Sequence, residues 1–77
     1  MISDLYPNPA NGIVNLKSSD AIIQTVEVTD LNGRIVMKIE GVDALETVLN
    51  IDGLSKGMYN INLTTDQGIA RKILSVL

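Results

Sequence analysis

Few side chains in this chain can do more than donate or accept a hydrogen bond. Its 77 residues include no His and no Cys. Ser18, Ser19, Ser55 and Ser75 thus have no imidazole to take their protons, and a serine without a base is a weak nucleophile. They read as solvated loop or strand residues. Zinc sites built from Cys and His cannot form. Asp30-Leu31-Asn32-Gly33 has the opening of a calcium loop but lacks its later ligands and closing Glu, so it reads as a turn. No glycine-rich phosphate loop is present. Tyr6 and Tyr59 are the only aromatic residues, which is thin support for the stacking platforms that carbohydrate sites use. Tyr6 reads as a ring packed on Pro7 and Pro9, and Arg71-Lys72 as charges that solubilise an apolar strand. The expectation is a domain with no catalytic residue, no metal and no cofactor.

The elements that carry these residues are short. Asn32-Gly33 lies between the apolar runs Val26–Val28 and Ile35–Met37, the strongest short-range signal for a β-hairpin. A two-residue loop would set Val28 opposite Met37 and Glu27 opposite Lys38. A type I turn opening at Asp30, with Gly33 in a left-handed bulge position, would set Val28 opposite Val36. Both registers fit the sequence. The hairpin needs cover, since an isolated two-stranded ribbon is marginal in water.

The rest of the chain supplies that cover. Met1 to Leu5 reads as an edge strand. Tyr6-Pro7-Asn8-Pro9 reads as a stiff extended connector, because each Pro fixes its own φ and restricts the residue before it. Ala10-Asn11-Gly12 is a turn, residues 13–16 a strand and residues 17–20 a polar loop. Strands over residues 21–29, 34–39 and 47–51 follow, with a second turn at Leu54-Ser55-Lys56-Gly57. Tyr59, Ile61 and Leu63 alternate with Asn60, Asn62 and Thr64, a half-buried strand. Asp66-Gln67-Gly68 turns the chain into a last strand, Ile69 to Val76. Strands at this spacing predict an all-β, antiparallel sandwich of six or seven strands in two sheets. Its inner faces are expected to hold Val26, Val28, Leu49, Ile51, Tyr59, Ile61, Leu63 and one face of the last strand.

Composition narrows the partners. A chain this short is one domain and buries only about 60% of its unfolded surface. The net charge of −3 disfavours nucleic acid, whose binding depends on neutralising phosphates. No apolar run approaches the roughly 20 residues of a spanning helix, so no membrane insertion is expected. The N-terminus lacks the basic start and apolar core of a signal peptide, so for an exported protein the signal is expected elsewhere in a longer precursor, or the chain is itself a signal of another kind.

Four segments in order carry a family resemblance: Tyr6-Pro7-Asn8-Pro9-Ala10-Asn11-Gly12, Asp30-Leu31-Asn32-Gly33-Arg34-Ile35-Val36, Leu54-Ser55-Lys56-Gly57-Met58-Tyr59 and Lys72-Ile73-Leu74-Ser75-Val76. Together they resemble the C-terminal sorting domain of type IX secretion cargo, the type A signal of Bacteroidetes. The resemblance spans nearly the whole chain. It implies an immunoglobulin-like β-sandwich, not an enzyme, at the C-terminus of a larger secreted precursor. Residues 1–77 would be that single domain, attached to an N-terminal cargo. The outer-membrane translocon or shuttle would recognise it in the periplasm, and a sortase would generally remove it at the cell surface. The cargo would then be released or joined to lipopolysaccharide. A monomer is expected. The recognition residues carried over are Tyr6, Pro7, Asn8, Pro9, Gly12, Asp30, Asn32, Gly33, Leu54, Gly57 and Tyr59, with Arg71 and Lys72 on the final strand. That strand is expected at a sheet edge, where its free backbone could pair with a receptor strand. The alternative is an adhesive or carbohydrate-binding β-sandwich, which would show an exposed aromatic or acidic row on one sheet.

Overall fold

The computed structural model describes residues 2–77, and their side chains except those of residues 2–4 and 7–11. Seven strands form: β1 (Ile2–Asn11), β2 (Ile13–Ser18), β3 (Ile23–Thr29), β4 (Ile35–Ile39), β5 (Glu46–Asn50), β6 (Gly57–Thr65) and β7 (Gly68–Val76). No helix occurs among the described residues. Sheet I holds β1, β2 and β5, paired antiparallel. Sheet II runs β4-β3-β6-β7, also antiparallel. The two sheets face each other as an immunoglobulin-like β-sandwich.

The strands arise from period-two alternation. In β2, Val14, Leu16 and Ser18 are buried; in β6, Tyr59, Ile61, Leu63 and Thr65 are. Each set points inward because successive side chains leave opposite faces of a strand. The shared core comprises Val14, Leu16, Ile23, Val26, Val28, Leu49, Ile51, Tyr59, Ile61, Leu63, Leu74 and Val76. All seven inner residues expected by name are in it. Removing a side chain as large as Ile61 or Leu63 from such a site costs about 2–5 kcal/mol.

Several boundaries differ from the expectation. Tyr6-Pro7-Asn8-Pro9 is not a connector outside the sheets but the middle of β1. Its extended backbone, predicted from the prolines, serves a change of sheet. Residues 2–6 pair with β2, the register then jumps, and Ala10 pairs in parallel with Val76 of β7. The chain then reverses at Gly12, whose φ of +88° suits a glycine. Lys17 and Ser18 belong to β2: Lys17 pairs with Glu46 of β5, Ser18 pairs with Ile2 of β1, and Ser18 N donates to Leu45 O at 2.8 Å. Backbone pairing overrides the polar composition there.

The central hairpin takes the turn of one expectation and the register of the other; Val28 does not pair with Val36. Asp30 N donates to Arg34 O at 2.9 Å and Gly33 N to Asp30 O at 3.0 Å, the hydrogen bonds of the type I turn with Gly33 at φ +88°. Yet Val28 pairs with Met37 and Glu27 with Lys38. A β-bulge absorbs the extra residue: Thr29 pairs with Ile35, and Val36 is left between pairs.

Candidate functional site

Strand direction places the motif-bearing turns together. β3 runs into the 30–34 turn, and its last residue Thr29 pairs with Asn60 near the start of β6. Gly57, which opens β6, pairs with Val76 at the end of β7. Val76 in turn meets Ala10, and Ile13 meets Asn50. The Gly12 turn, the 30–34 turn, the 51–56 loop and the last residues of the chain thus share one end of the sandwich. Ile2 pairs with Ser18 at the opposite end. Parts of all four motif segments therefore meet at one pole, and the chain enters from the other.

The 30–34 turn is built on one carboxylate. Oδ1 of Asp30 accepts from the backbone N–H groups of Asn32 and Arg34, each at 2.9 Å. Its Oδ2 lies 3.3 Å from Arg34 Nε. The Arg34 N–H, foremost, holds the Asp30 carboxyl below its ordinary value of 3.8; partial desolvation opposes this, and the Asn32 N–H and the Arg34 guanidinium add to it. Asp30 is thus the organiser of the turn, with both oxygens engaged.

The loop before β6 is built differently. Asn50 Oδ1 accepts from Asp52 N at 3.0 Å, and Leu54 N donates to Ile51 O at 3.0 Å. Ile51 N reaches Gly12 O at 2.8 Å, tying this loop to the β1–β2 turn. Asp52 Oδ1 would lie 3.4 Å from a Cβ at Gly12. Gly57 has a φ of +147°. Tyr59 points its ring into the core and donates its hydroxyl to Ser55 O. The ring and its hydroxyl thereby fasten the loop to sheet II.

Between the two turns lies an open groove of about 470 Å³, lined by Asp30, Arg34, Ile35, Val36, Gly53, Leu54, Ser55 and Tyr59. Val36, Leu54 and Tyr59, which belong to or pack on the core, add apolar surface to a groove whose lining is otherwise mostly polar. Its rim holds the Asp30–Arg34 pair, with the Arg34 side chain 79% exposed. Leu31, Ile35, Met58 and Leu77 are exposed at the same end. Exposed aliphatics beside a polar rim suit contact with another protein.

The structure gathers Gly12, Asp30, Asn32, Gly33, Leu54, Gly57 and Tyr59 at this pole and leaves three expected residues elsewhere. Tyr6 pairs with Asn15 on the outer face of sheet I and is half exposed. Its packing on Pro7 and Pro9, and the side chain of Asn8, lie outside the described residues. Arg71 and Lys72 sit midway along β7, and they do not form a pair. Arg71 is exposed and its Nε donates to Asn62 Oδ1 at 2.8 Å, whereas Lys72 is half-buried on the face that carries Leu74 and Val76. Consecutive strand residues must diverge in this way. Sequence reasoning missed Arg34, Asn50 and Asp52. The Asn-x-Asp-Gly pattern of residues 50–53 was the available signal for the last two.

Fold and site define a β-sandwich whose distinctive residues shape turns and a contact surface, a module of recognition. Residues 4–76 match the family described as the secretion system C-terminal sorting domain, and the chain belongs to that family. It is the type IX secretion C-terminal sorting signal, which sends its cargo to the cell surface or beyond. No curated protein matches the chain. Among solved structures, CopC from Methylosinus trichosporium OB3b is similar, at 16% identity with a TM-score of 0.60. That likeness covers 97% of this chain and 90% of the other, and it is a likeness of fold.

Proposed function

We propose that the outer-membrane type IX machinery reads this domain at its motif-bearing pole while the cargo trails from the opposite pole. The observation that carries this reading is the convergence of Gly12, the Asp30–Arg34 turn, the Leu54–Tyr59 segment and Val76–Leu77 at one end. The domain has no catalytic task; it is the ligand of a translocon or shuttle in the periplasm, and a sortase then severs it from the cargo. Residues 1–77 act as one monomeric unit. The test fuses them behind a signal peptide and a fluorescent reporter in a secretion-competent host. Leu31 and Leu77 are 69% and 67% exposed, so replacing both with Asp should shift stability by less than about 0.5 kcal/mol each. The folded double variant is expected to leave the reporter in the periplasm. Normal export would remove the pole from recognition.

A second reading places recognition on the edge of β7. Along Ile69–Lys72 that strand pairs with β6 on one side, and no described strand pairs with it on the other. Arg71→Glu separates the two readings. Arg71 is exposed, so its reversal should leave melting nearly unchanged. Retention of that variant would favour the edge, and normal export would favour the pole.

A further inference from the structure

Open sheet edges invite pairing with any extended chain, and proteins blunt them with bulges, charges, prolines or a covering segment. Two edges of this sandwich are blunted. β4 has five residues, a bulge at Val36, and Lys38 held 3.4 Å from Glu40. β7 carries Arg71 outward and Lys72 inward, and β1 crosses to it at Val76. β5 is equally short, at five residues, but has no bulge. Its ladder with β2 runs without interruption from Lys17–Glu46 to Ile13–Asn50. It holds no Lys, Arg or Pro, and Val48 at its centre is 56% exposed.

The hydrogen-bond phase shows which groups are free. Ile51 N donates to Gly12 O, and Leu45 O accepts from Ser18 N. In an antiparallel ladder alternate residues turn both backbone groups to the same neighbour. Residues 45, 47, 49 and 51 therefore address β2. Glu46, Val48 and Asn50 turn their N–H and C=O groups outward, where no described strand lies.

We infer that the β5 edge is a docking site for an extended segment of another protein, with an aliphatic residue opposite Val48 and a basic residue opposite Glu46. Main-chain pairing to Glu46, Val48 and Asn50 supplies the affinity, and the side chains at alternate positions supply the selection. Glu46 is exposed and carries its charge on this edge, opposite Lys17 of β2, and a base on its open side would extend the same cross-strand attraction. A second copy fits less well. Centred on Val48, it would set Glu46 against Asn50 rather than against a base, and bring together two bodies of net charge −3. This surface meets the motif-bearing pole only at Asn50 and runs away from it to Glu46.

The test titrates the isotope-labelled 77-residue chain with a short synthetic peptide of alternating Thr and Val, blocked at both termini and ending in Lys. The peptide should slow amide exchange at Glu46, Val48 and Asn50. Val48→Pro removes only an outward N–H, so the β2–β5 ladder survives while peptide affinity falls about tenfold or more. Glu46→Lys should transfer the preference to the same peptide ending in Glu, which keeps the test alive if the proline variant unfolds. Unchanged exchange at those three amides, or equal affinity of a folded Val48→Pro chain, overturns the inference. A free chain that is dimeric, with those amides already protected, also overturns it by giving the edge to a second copy.

Discussion

Asp30 concentrates more structure than any other side chain at the motif-bearing pole. Its pKa is depressed in the folded protein, so its contribution is complete above 3.8 and fades as the pH falls below that value. Asp30→Ala should therefore melt below the parent at neutral pH. The gap should close on acidification below 3.8, measured by thermal scans across that range. The glycines are also separable. A Cβ on Gly33 or Gly57 would meet no atom within 4 Å, so any cost there comes from the backbone alone. Gly33→Val should cost at least about 1 kcal/mol, and Gly33→Asn should recover much of it because Asn tolerates left-handed conformations. Gly57 at φ +147° lies outside the left-handed helical well, so Gly57→Asn should bring no such recovery in the same melts. Much of this turn was legible in Asp30-Leu31-Asn32-Gly33, because its chemistry is local. The register was not. Ile35 and Val36 are both apolar, and only the bulge, which leaves Ile35 exposed and Val36 and Met37 half-buried, satisfies the turn and the ladder together.

At the scale of the element, β1 and β7 show where sequence reasoning stops. Alternation identified the inner faces of β3 and β6, because burial repeats every second residue. Arg71 and Lys72 were read together as solvent-facing charges, but consecutive strand residues diverge and only Arg71 is exposed. Lys72→Glu should lower the melting temperature more than Arg71→Glu, since only Lys72 shares the inner face with Leu74 and Val76. The sheet change of β1 was not legible, because it depends on the distant partner Val76. Pro7 and Pro9 fit that change, since proline cannot donate to a ladder. Replacing both with Ala restores two donors and should let β1 continue along β2. Amide exchange should then quicken at Val76 while residues 13–18 stay protected. Uniform quickening would mean instead that the prolines stabilise the whole sandwich.

The whole molecule is polar. On the proposed arrangement, cargo attached before Ile2 would leave from the pole opposite the motif-bearing turns. A folded domain appended after Leu77 would crowd the motif-bearing pole, so it should block export of a reporter that an N-terminal fusion allows. Periplasmic and extracellular fluorescence measure the difference. Equal export of both fusions would place recognition away from that pole.

The pairing of Ala10 with Val76 also bears on timing. Contacts between the first and last strands have the largest sequence separation, and such non-local pairings slow folding. During synthesis β1 emerges early and waits for β7. A message cut short before Val76 would yield a cargo whose tail never closes, and whose Gly57 lacks its partner at the motif-bearing pole. If the pole is the address as proposed, a chain that stops before Val76 would lack the pairings to Ala10 and Gly57 that complete it, and its cargo should stay behind.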